Sequence, residues 1–353
     1  MTRTLQPEHY FDPDWYEVES ERVFRASWLP VCRLDQVPNP GDRYAVVLAG
    51  RPVVVTRAAS GTLHVLGNVC QHRGSLLVED GPSNGSSFVC PYHRWAYRLD
   101  GSLIGGPLAD GLDLSNVCLP RIRHTVWEGF VLVNLSGDAP DPLGQLASLS
   151  THLAPWSWSE LVSLGSRSFQ SDWNWKVMVE NWIECYHHLG THRTTVEPYQ
   201  PARTTRIIPN ESAPWAAMTV DTVAGLEGTP ETWIPGVTPE RSRDLSVWSA
   251  FPLLLGGSIS RYAFWLQVVP IDVDRHAVTW HLLAHASQRS SFDQERVERE
   301  LDMLAIIHSE DMVTCRSVQR GIESRMIDEF RFTRLEATIA WFHEWVAAMC
   351  RPD

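Results

Sequence analysis

Between positions 180 and 192, Glu180, Asn181, Glu184, His187 and His192 share one stretch otherwise rich in Trp, Val, Met and Ile. On a helix, Asn181, Glu184 and His187 are spaced i, i+3 and i+6 and lie near one face. The interval from His187 to His192 would turn the two imidazoles well apart on an unbroken helix. Gly190 offers the break, which predicts that the chain unwinds after His187 and swings His192 back. Two imidazoles on a bent helix end suit an iron site of two histidines and one carboxylate. Such a site gathers three ligands on one side of the metal and leaves the opposite positions open. Buried helices also use paired histidines as hydrogen-bonded core residues, and this stretch alone does not fix a metal.

A carboxylate to complete the set lies further on. The periodicity predicts a long helix from about Phe292 to Arg320, stopped by Gly321 as a left-handed terminator. Val297, Leu301, Leu304, His308, Asp311, Cys315 and Val318 recur by fours and threes as one inward stripe. Asp311 is thereby placed on a buried face, where a carboxylate needs a cation or a metal. Glu310 falls off the stripe and is the weaker candidate.

A second constellation comes earlier: Cys70-Gln-His72, then 17 residues, then Cys90-Pro-Tyr-His93. Two Cys and two His can hold a structural zinc. Zinc fingers, however, usually pair like ligands within a loop, whereas each loop here carries one Cys and one His. That alternation suits a Rieske [2Fe–2S] centre, in which two Cys hold one iron and two His the other.

The elements that must position these groups fall into two parts, as 353 residues predict. Residues 11–29 read as a helix capped by Asp12 or Asp14. From about residue 30 short β runs take over: Tyr44–Leu48 and Pro52–Arg57 around Ala49-Gly50, then Leu63–Asn68, Ser87–Leu99 into the turn Asp100-Gly101, and Phe130–Leu135. This β domain ends near Ser136–Gly144. Beyond it, residues 209–245 read as loops or a lid. Leu245–Ala250, Ile259–Val269 and His276–Ala286 read as antiparallel strands, and Arg334–Met349 as a last amphipathic helix. The expected architecture is α+β, with domains at 1–29 (a helix packing with the catalytic part), 30–145 and 146–353.

Composition excludes several classes. A formal net charge of −12, with Lys176 the single lysine and the arginines scattered, argues against a nucleic-acid surface. Met1–Tyr10 has no apolar core for a signal peptide. No apolar run approaches the roughly 18 residues that span a bilayer. Seven dispersed cysteines form no disulfide framework and predict a reducing, cytoplasmic setting.

Cys70-Gln-His72-Arg-Gly with Cys90-Pro-Tyr-His93-Arg-Trp-Ala-Tyr resembles the paired cluster loops of Rieske proteins. The chain as a whole is similar to the α subunit of Rieske non-haem iron oxygenases. The family's Asn-x-x-(x)-Asp/Glu-x-x-His-x-x-x-x-His pattern is matched by Asn181, Glu184, His187 and His192. Its late-helix aspartate ahead of Gln-Arg-Gly is matched by Asp311 before Gln319-Arg-Gly321. The resemblance implies an all-β Rieske [2Fe–2S] domain followed by a helix-grip, START-like catalytic domain with an antiparallel sheet and long C-terminal helices. It also implies a cluster on Cys70, His72, Cys90 and His93, and a mononuclear Fe(II) on His187, His192 and Asp311. Asn181 and Glu184 would then be catalytic-site residues, with Glu184 linking His187 to His93 of a neighbouring subunit in a head-to-tail homotrimer. Electrons would come from NAD(P)H through a flavin/iron–sulfur reductase or a ferredoxin, and O2 would hydroxylate or oxidatively dealkylate a small organic substrate.

Two departures from the family pattern refine this. Glu stands at 184 where ring-dihydroxylating members usually have Asp, and its interval from Asn181 is one residue shorter. Both are similar to the α-only branch acting on carnitine, glycine betaine and related N-methyl compounds. Arg94 stands where many relatives have a small residue. For the substrate, Trp182, Trp215, Trp233, Trp248, Phe264 and Trp265 would build an aromatic cage for a quaternary ammonium, pack as core, or hold an apolar aromatic substrate. The alternatives are an aromatic or polycyclic hydroxylase or ring dioxygenase and, more distantly, an electron-transfer or ligand-binding protein without oxygenase activity.

Overall fold

The computed structural model describes residues 5–210 and 213–351. The first four residues of the segment read above for a leader, and two residues of the 209–245 stretch, lie outside it. By internal contacts the chain divides into two units, Trp28–Ala139 and residues 5–27 with 140–351.

The first unit is all β. Its strands are β1 (Trp28–Arg33), β2 (Asp42–Leu48), β3 (Arg51–Arg57), β4 (Leu63–Gly67), β5 (Gly81–Asn84), β6 (Phe88–Val89), β7 (Ala96–Tyr97), β8 (Leu103–Gly105), β9 (Arg123–Trp127) and β10 (Phe130–Asn134). They form three sheets, ordered β1-β10-β9, β4-β3-β2-β5 and β6-β7-β8. The β2–β3 hairpin turns at Ala49 and Gly50, both at positive φ (45° and 69°), as a two-residue primed turn requires. The helix expected over 11–29 stops early. Trp28 and Leu29 pair with Asn134 and Val133 in the β1–β10 ladder, so the sheet claims them. The strand expected over Ser87–Leu99 is split, because Cys90 to Trp95 folds into a loop between β6 and β7.

The second unit opens with α1 (Pro13–Glu19), whose N-cap Asp12 accepts from the Asp14 amide. A five-residue π-type turn, Ser20–Phe24, follows. Short α2 (Pro142–Gln145) and α3 (Ala147–Leu153) lead into β11 (Leu161–Ser171), and α4 (Trp175–Trp182) comes next. Then follow β12 (Arg206–Ile207), β13 (Trp215–Asp221), β14 (Asp244–Ala250), β15 (Leu254–Ser258), β16 (Ala263–Asp272) and β17 (Arg275–His285). The seven strands make one antiparallel sheet ordered β11-β17-β16-β15-β14-β13-β12. The 30-residue α5 (Gln294–Glu323) and then α6 (Ala337–Met349) close the unit. An antiparallel sheet held against long C-terminal helices is the architecture the resemblance implied. β11, β12, β13 and β15 lie outside the strands expected from sequence; β13 falls in the segment read as loop, and β15 carries two glycines.

Two features anchor the helices that matter. Lys176, at the start of α4, is fully buried with its Nζ 2.6 Å from Glu19 Oε1, while the Trp15 and Trp175 indoles donate to the same carboxylate. A pair this buried is tolerated because every Glu19 oxygen is partnered. On α5 the buried stripe runs Val297, Leu301, Leu304, His308, Asp311, Cys315, Gln319 and Ile322. Val318 is therefore replaced on it by Gln319, one residue on, since helical rows drift relative to an even repeat. Gly321 lies within the helix, and the left-handed residue is Arg325 (φ 56°), beyond the C-cap Ser324.

Candidate active site

α4 begins at Asn174, whose side chain accepts from the Lys176 amide and donates to Val273 O. It ends at Ile183 (φ −88°, ψ 18°), whose carbonyl accepts from the Thr338 hydroxyl of α6 at 2.5 Å. The break thus precedes Glu184 instead of following His187. Gly190 is at negative φ (φ −110°, ψ −62°), on the right-handed side, and a Cβ there would meet only His187 O at 4.0 Å. Glycine is not what bends this chain. Glu184 is, because its Oε2 accepts from the Tyr186 and His187 amides and so caps a new turn, Tyr186–Leu189. Its Oε1 lies 2.6 Å from His187 Nδ1.

His192 is returned by the turn in which Gly190 N and Thr191 N donate to His187 O. Its Nδ1 lies 2.7 Å from Glu310 Oε2, and the Thr195 hydroxyl donates to the same oxygen at 2.6 Å. With each Nδ1 held by a carboxylate, both Nε2 atoms turn toward Asp311. Asp311 Oδ1 lies 2.9 Å from His192 Nε2 and 3.7 Å from His187 Nε2, and it accepts from Asn181 Nδ2 at 3.0 Å. The three candidate ligand atoms all lie within 4.8 Å of one another. Burial works against charge on Asp311, yet the His192 hydrogen bond, the two imidazoles and Asn181 hold its carboxyl below the ordinary range. Burial likewise opposes a proton on His192, and Asp311 and Glu310 together raise its pKa. Two nitrogens and one oxygen at this spacing, with a carboxylate behind each imidazole, fit a divalent metal. Asn181, Glu184, His187, His192 and Asp311 are brought together, and Glu310 joins them. A readable signal for Glu310 existed. Two ligand histidines each need an Nδ1 partner, and the sequence offers a second acid beside Asp311.

A cavity of about 140 Å³ opens on this set. Its walls include Trp182, Tyr262, Phe264 and Trp280. Trp182 meets Trp280 at 5.4 Å (77°) and Phe264 at 6.0 Å (89°), with Phe264 5.8 Å from Trp280 and 6.4 Å from Tyr262. Of the aromatics anticipated from sequence, only Trp182 and Phe264 line it. Paired residues on neighbouring antiparallel strands share a face, and adjacent residues do not. Val247, Gly257, Phe264 and Leu282 make one row, whereas Trp248, Gly256, Trp265 and His281 make the next, on the opposite face. Trp215 pairs with Ala250 and so joins Trp248 there. Trp248 meets Trp158 edge-on at 4.8 Å, and Trp265 stacks on His281 at 4.4 Å. Trp233 sits in a separate loop cavity, its indole donating to Glu227 O. Gly257 carries the close approach on the cavity side, because a Cβ there would lie 2.5 Å from the Phe264 ring. His188, also unforeseen, lines the cavity with Nδ1 3.0 Å from Gln200 O. Burial, then the neighbouring His187, pushes its pKa down to about 3.

In the β unit, the Cys70 and Cys90 loops are built alike. Cys70 N donates to Ser75 O and Gly74 N to Cys70 O, while Cys90 N donates to Trp95 O and Arg94 N to Cys90 O. Gly74 and Arg94 occupy the equivalent left-handed positions (φ 76° and 63°), so Arg94 stands where glycine would sit without strain. Both sulfurs are buried, the His72 and His93 rings lie 4.8 Å apart, and His72 stacks on Trp95. Burial raises the Cys90 thiol pKa, but the Tyr92 and His93 amides and the Cys70 side chain bring it below its ordinary value. His93 Nδ1 is buried with no hydrogen-bond partner among the described residues. Two thiols, one tuned toward thiolate, facing two imidazoles with one nitrogen unclaimed fit a [2Fe–2S] cluster of the mixed Cys/His kind.

Comparison with known proteins agrees with both halves. Residues 158–351 match the ring-hydroxylating α-subunit catalytic domain, and residues 27–117 match the Rieske [2Fe–2S] domain. The glycine betaine monooxygenase oxygenase subunit of Chromohalobacter salexigens is 34% identical over 200 residues, 54% of this chain and 45% of that protein. The chain thus spans under half the length of that relative. The chloroplastic choline monooxygenase of Arabidopsis thaliana is 27% identical over 352 residues, 95% of this chain and 80% of that one. The solved structure of the quaternary ammonium Rieske monooxygenase CntA superposes with a TM-score of 0.85 at 21% identity, covering 99% of this chain and 95% of its own.

Proposed function

The chain belongs to the ring-hydroxylating α-subunit family, and from that premise we propose that it is an oxygenase acting on a small alkylammonium compound. The observation that carries this is the placement of His187, His192 and Asp311 on the wall of a cavity whose lining also includes four aromatic rings, Trp182, Tyr262, Phe264 and Trp280. Aromatic faces attract a quaternary ammonium through their quadrupoles, most strongly where water is excluded. When bound, an iron(II) ion would supply O2 activation, and a [2Fe–2S] cluster would deliver electrons singly.

The chain's own residues do the rest. Glu184 and Glu310 fix the tautomer and direction of the two imidazoles, and Asn181 steadies Asp311. Trp182, Phe264 and Trp280 hold a methyl carbon near the metal set and keep water from it. Hydroxylation of an N-methyl carbon consumes O2, two electrons and two protons and releases one water. The resulting N–CH2OH group sheds formaldehyde and a proton and leaves the tertiary amine.

Electrons would come from NAD(P)H by way of a flavin/iron–sulfur reductase or a ferredoxin. We place the protein in a homotrimer, in which Glu184, 7% exposed, accepts a hydrogen bond from His93 of the partner subunit. Among the described residues no helix is long and apolar enough to cross a membrane, and seven free cysteines favour the cytoplasm.

The test is a substrate screen with a surrogate reductase that reads O2 uptake and product mass. Loss of a methylene or gain of one oxygen from alkylammonium compounds supports the reading. Gain of O2 and two hydrogens on aromatic hydrocarbons, with ammonium compounds inert, would replace it by ring dihydroxylation.

A further inference from the structure

Resting on the reading above, the charges around the cavity bear on the other end of the substrate. Among the described residues lining the cavity there is no lysine and no arginine. Apart from the imidazoles, the charge-bearing lining residues are the carboxylates Glu184 and Asp311, with Glu310 behind His192 as a third. A divalent ion set against three carboxylates still leaves one net negative charge. The remaining polar lining residues are Asn181, Cys185, His188, Gln200 and Tyr262, with the His188 Nδ1–H donating to Gln200 O. Val196, Leu245, Val247 and Leu304 supply apolar surface around them.

A carboxylate carried into this space would shed its hydration and find no lysine or arginine on the wall to replace it, which is the costliest kind of burial. It would also face like charge. A hydroxyl asks only for a hydrogen-bond partner, which the amide, hydroxyl and imidazole groups of the lining supply. We infer that this cavity selects an alkylammonium substrate whose far end is uncharged, a hydroxyl or an ether, and rejects one whose far end is a carboxylate. The selection is thus by charge at the tail, whereas the aromatic rings recognise the head.

The probes are tetramethylammonium, choline, glycine betaine and glycine betaine methyl ester, each titrated calorimetrically into the iron-loaded protein under anaerobic conditions at one pH and ionic strength. Binding, not turnover, is read. Choline should bind at least about tenfold more tightly than glycine betaine. The methyl ester, which differs from glycine betaine by loss of the charge, should recover most of the difference. Glycine betaine binding as tightly as choline, or an ester no better than the free carboxylate, would overturn the inference while leaving the alkylammonium reading intact. If none of the four binds, tetramethylammonium included, the alkylammonium reading itself fails and the inference with it.

Discussion

Glu310 Oε2 lies 2.7 Å from His192 Nδ1, and it does for that imidazole what Glu184 does for His187 at 2.6 Å. The two carboxylates come from different elements, one from the turn after α4 and one from α5, yet both leave the Nε2 atoms facing Asp311. Removing a carboxylate behind a ligand histidine typically weakens metal binding by about 10- to 100-fold. Glu310→Gln should therefore retain the fold and bind iron(II) within that weakened range, as read by anaerobic metal titration. Asp311→Ala should lose the ion. Loss of metal in Glu310→Ala with full retention in Asp311→Ala would reverse the two roles.

The face rule for the sheet separates two tryptophans by experiment. Trp280 stands in the cavity, 5.4 Å from Trp182, whereas Trp265 is fully buried against His281 on the other face. Trp280→Ala should weaken tetramethylammonium binding by about 5- to 30-fold, the range expected for one desolvated cation–π contact. Trp265→Ala should cost about 3–5 kcal/mol of stability by opening a core cavity. The folded Trp265→Ala protein should keep its affinity within about twofold. Chemical denaturation and calorimetry together check the pair, and the account fails if the two variants exchange phenotypes.

Acid should loosen the catalytic unit through His276. Its Nδ1 donates to Trp173 O at 2.9 Å, and burial holds its pKa down at about 4 against an ordinary 6.5. Above pH 6.5 the imidazole is neutral in both folded and unfolded chains, so it contributes no pH dependence. Between 6.5 and 4 the unfolded chain takes up a proton that the folded chain refuses, so stability falls as pH falls. The loss attributable to this residue is on the order of 1–3 kcal/mol. Urea midpoints measured across that window should decline less steeply in His276→Gln than in the parent. Identical slopes would show that other groups carry the acid sensitivity.

Much of the chemistry was legible because it depends on residue type and spacing along single elements. The alternation of Cys and His in two loops, and the stripe that buries Asp311, needed no knowledge of tertiary structure. What stayed hidden depended on pairing between elements. Phe264 and Trp265 are adjacent in one strand, so they cannot both face one cavity. That parity was available in the sequence, but which of the two points inward follows from the register with β15 and β17. Trp280 escaped for the same reason. Gly190 looked like the hinge because glycine breaks helices, whereas the bend comes from Glu184 capping the following turn, a contact that leaves no compositional trace. β13 reads as loop in the sequence because the residues flanking it are rich in Pro, Gly, Ser and Thr, although Trp215–Asp221 pairs fully with β14.

On the proposed function, a metal on His187, His192 and Asp311 would perform oxygen chemistry with electrons stored elsewhere in the protein. A single turnover tests it most directly. Protein loaded with both metal centres is reduced, freed of reductant, and mixed with choline and O2 while cluster absorbance and formaldehyde are followed together. The parent should reoxidise and release formaldehyde in step, whereas Asp311→Ala, with an unchanged cluster spectrum, should do neither. Formaldehyde release by Asp311→Ala at the parent's rate and yield would contradict the account.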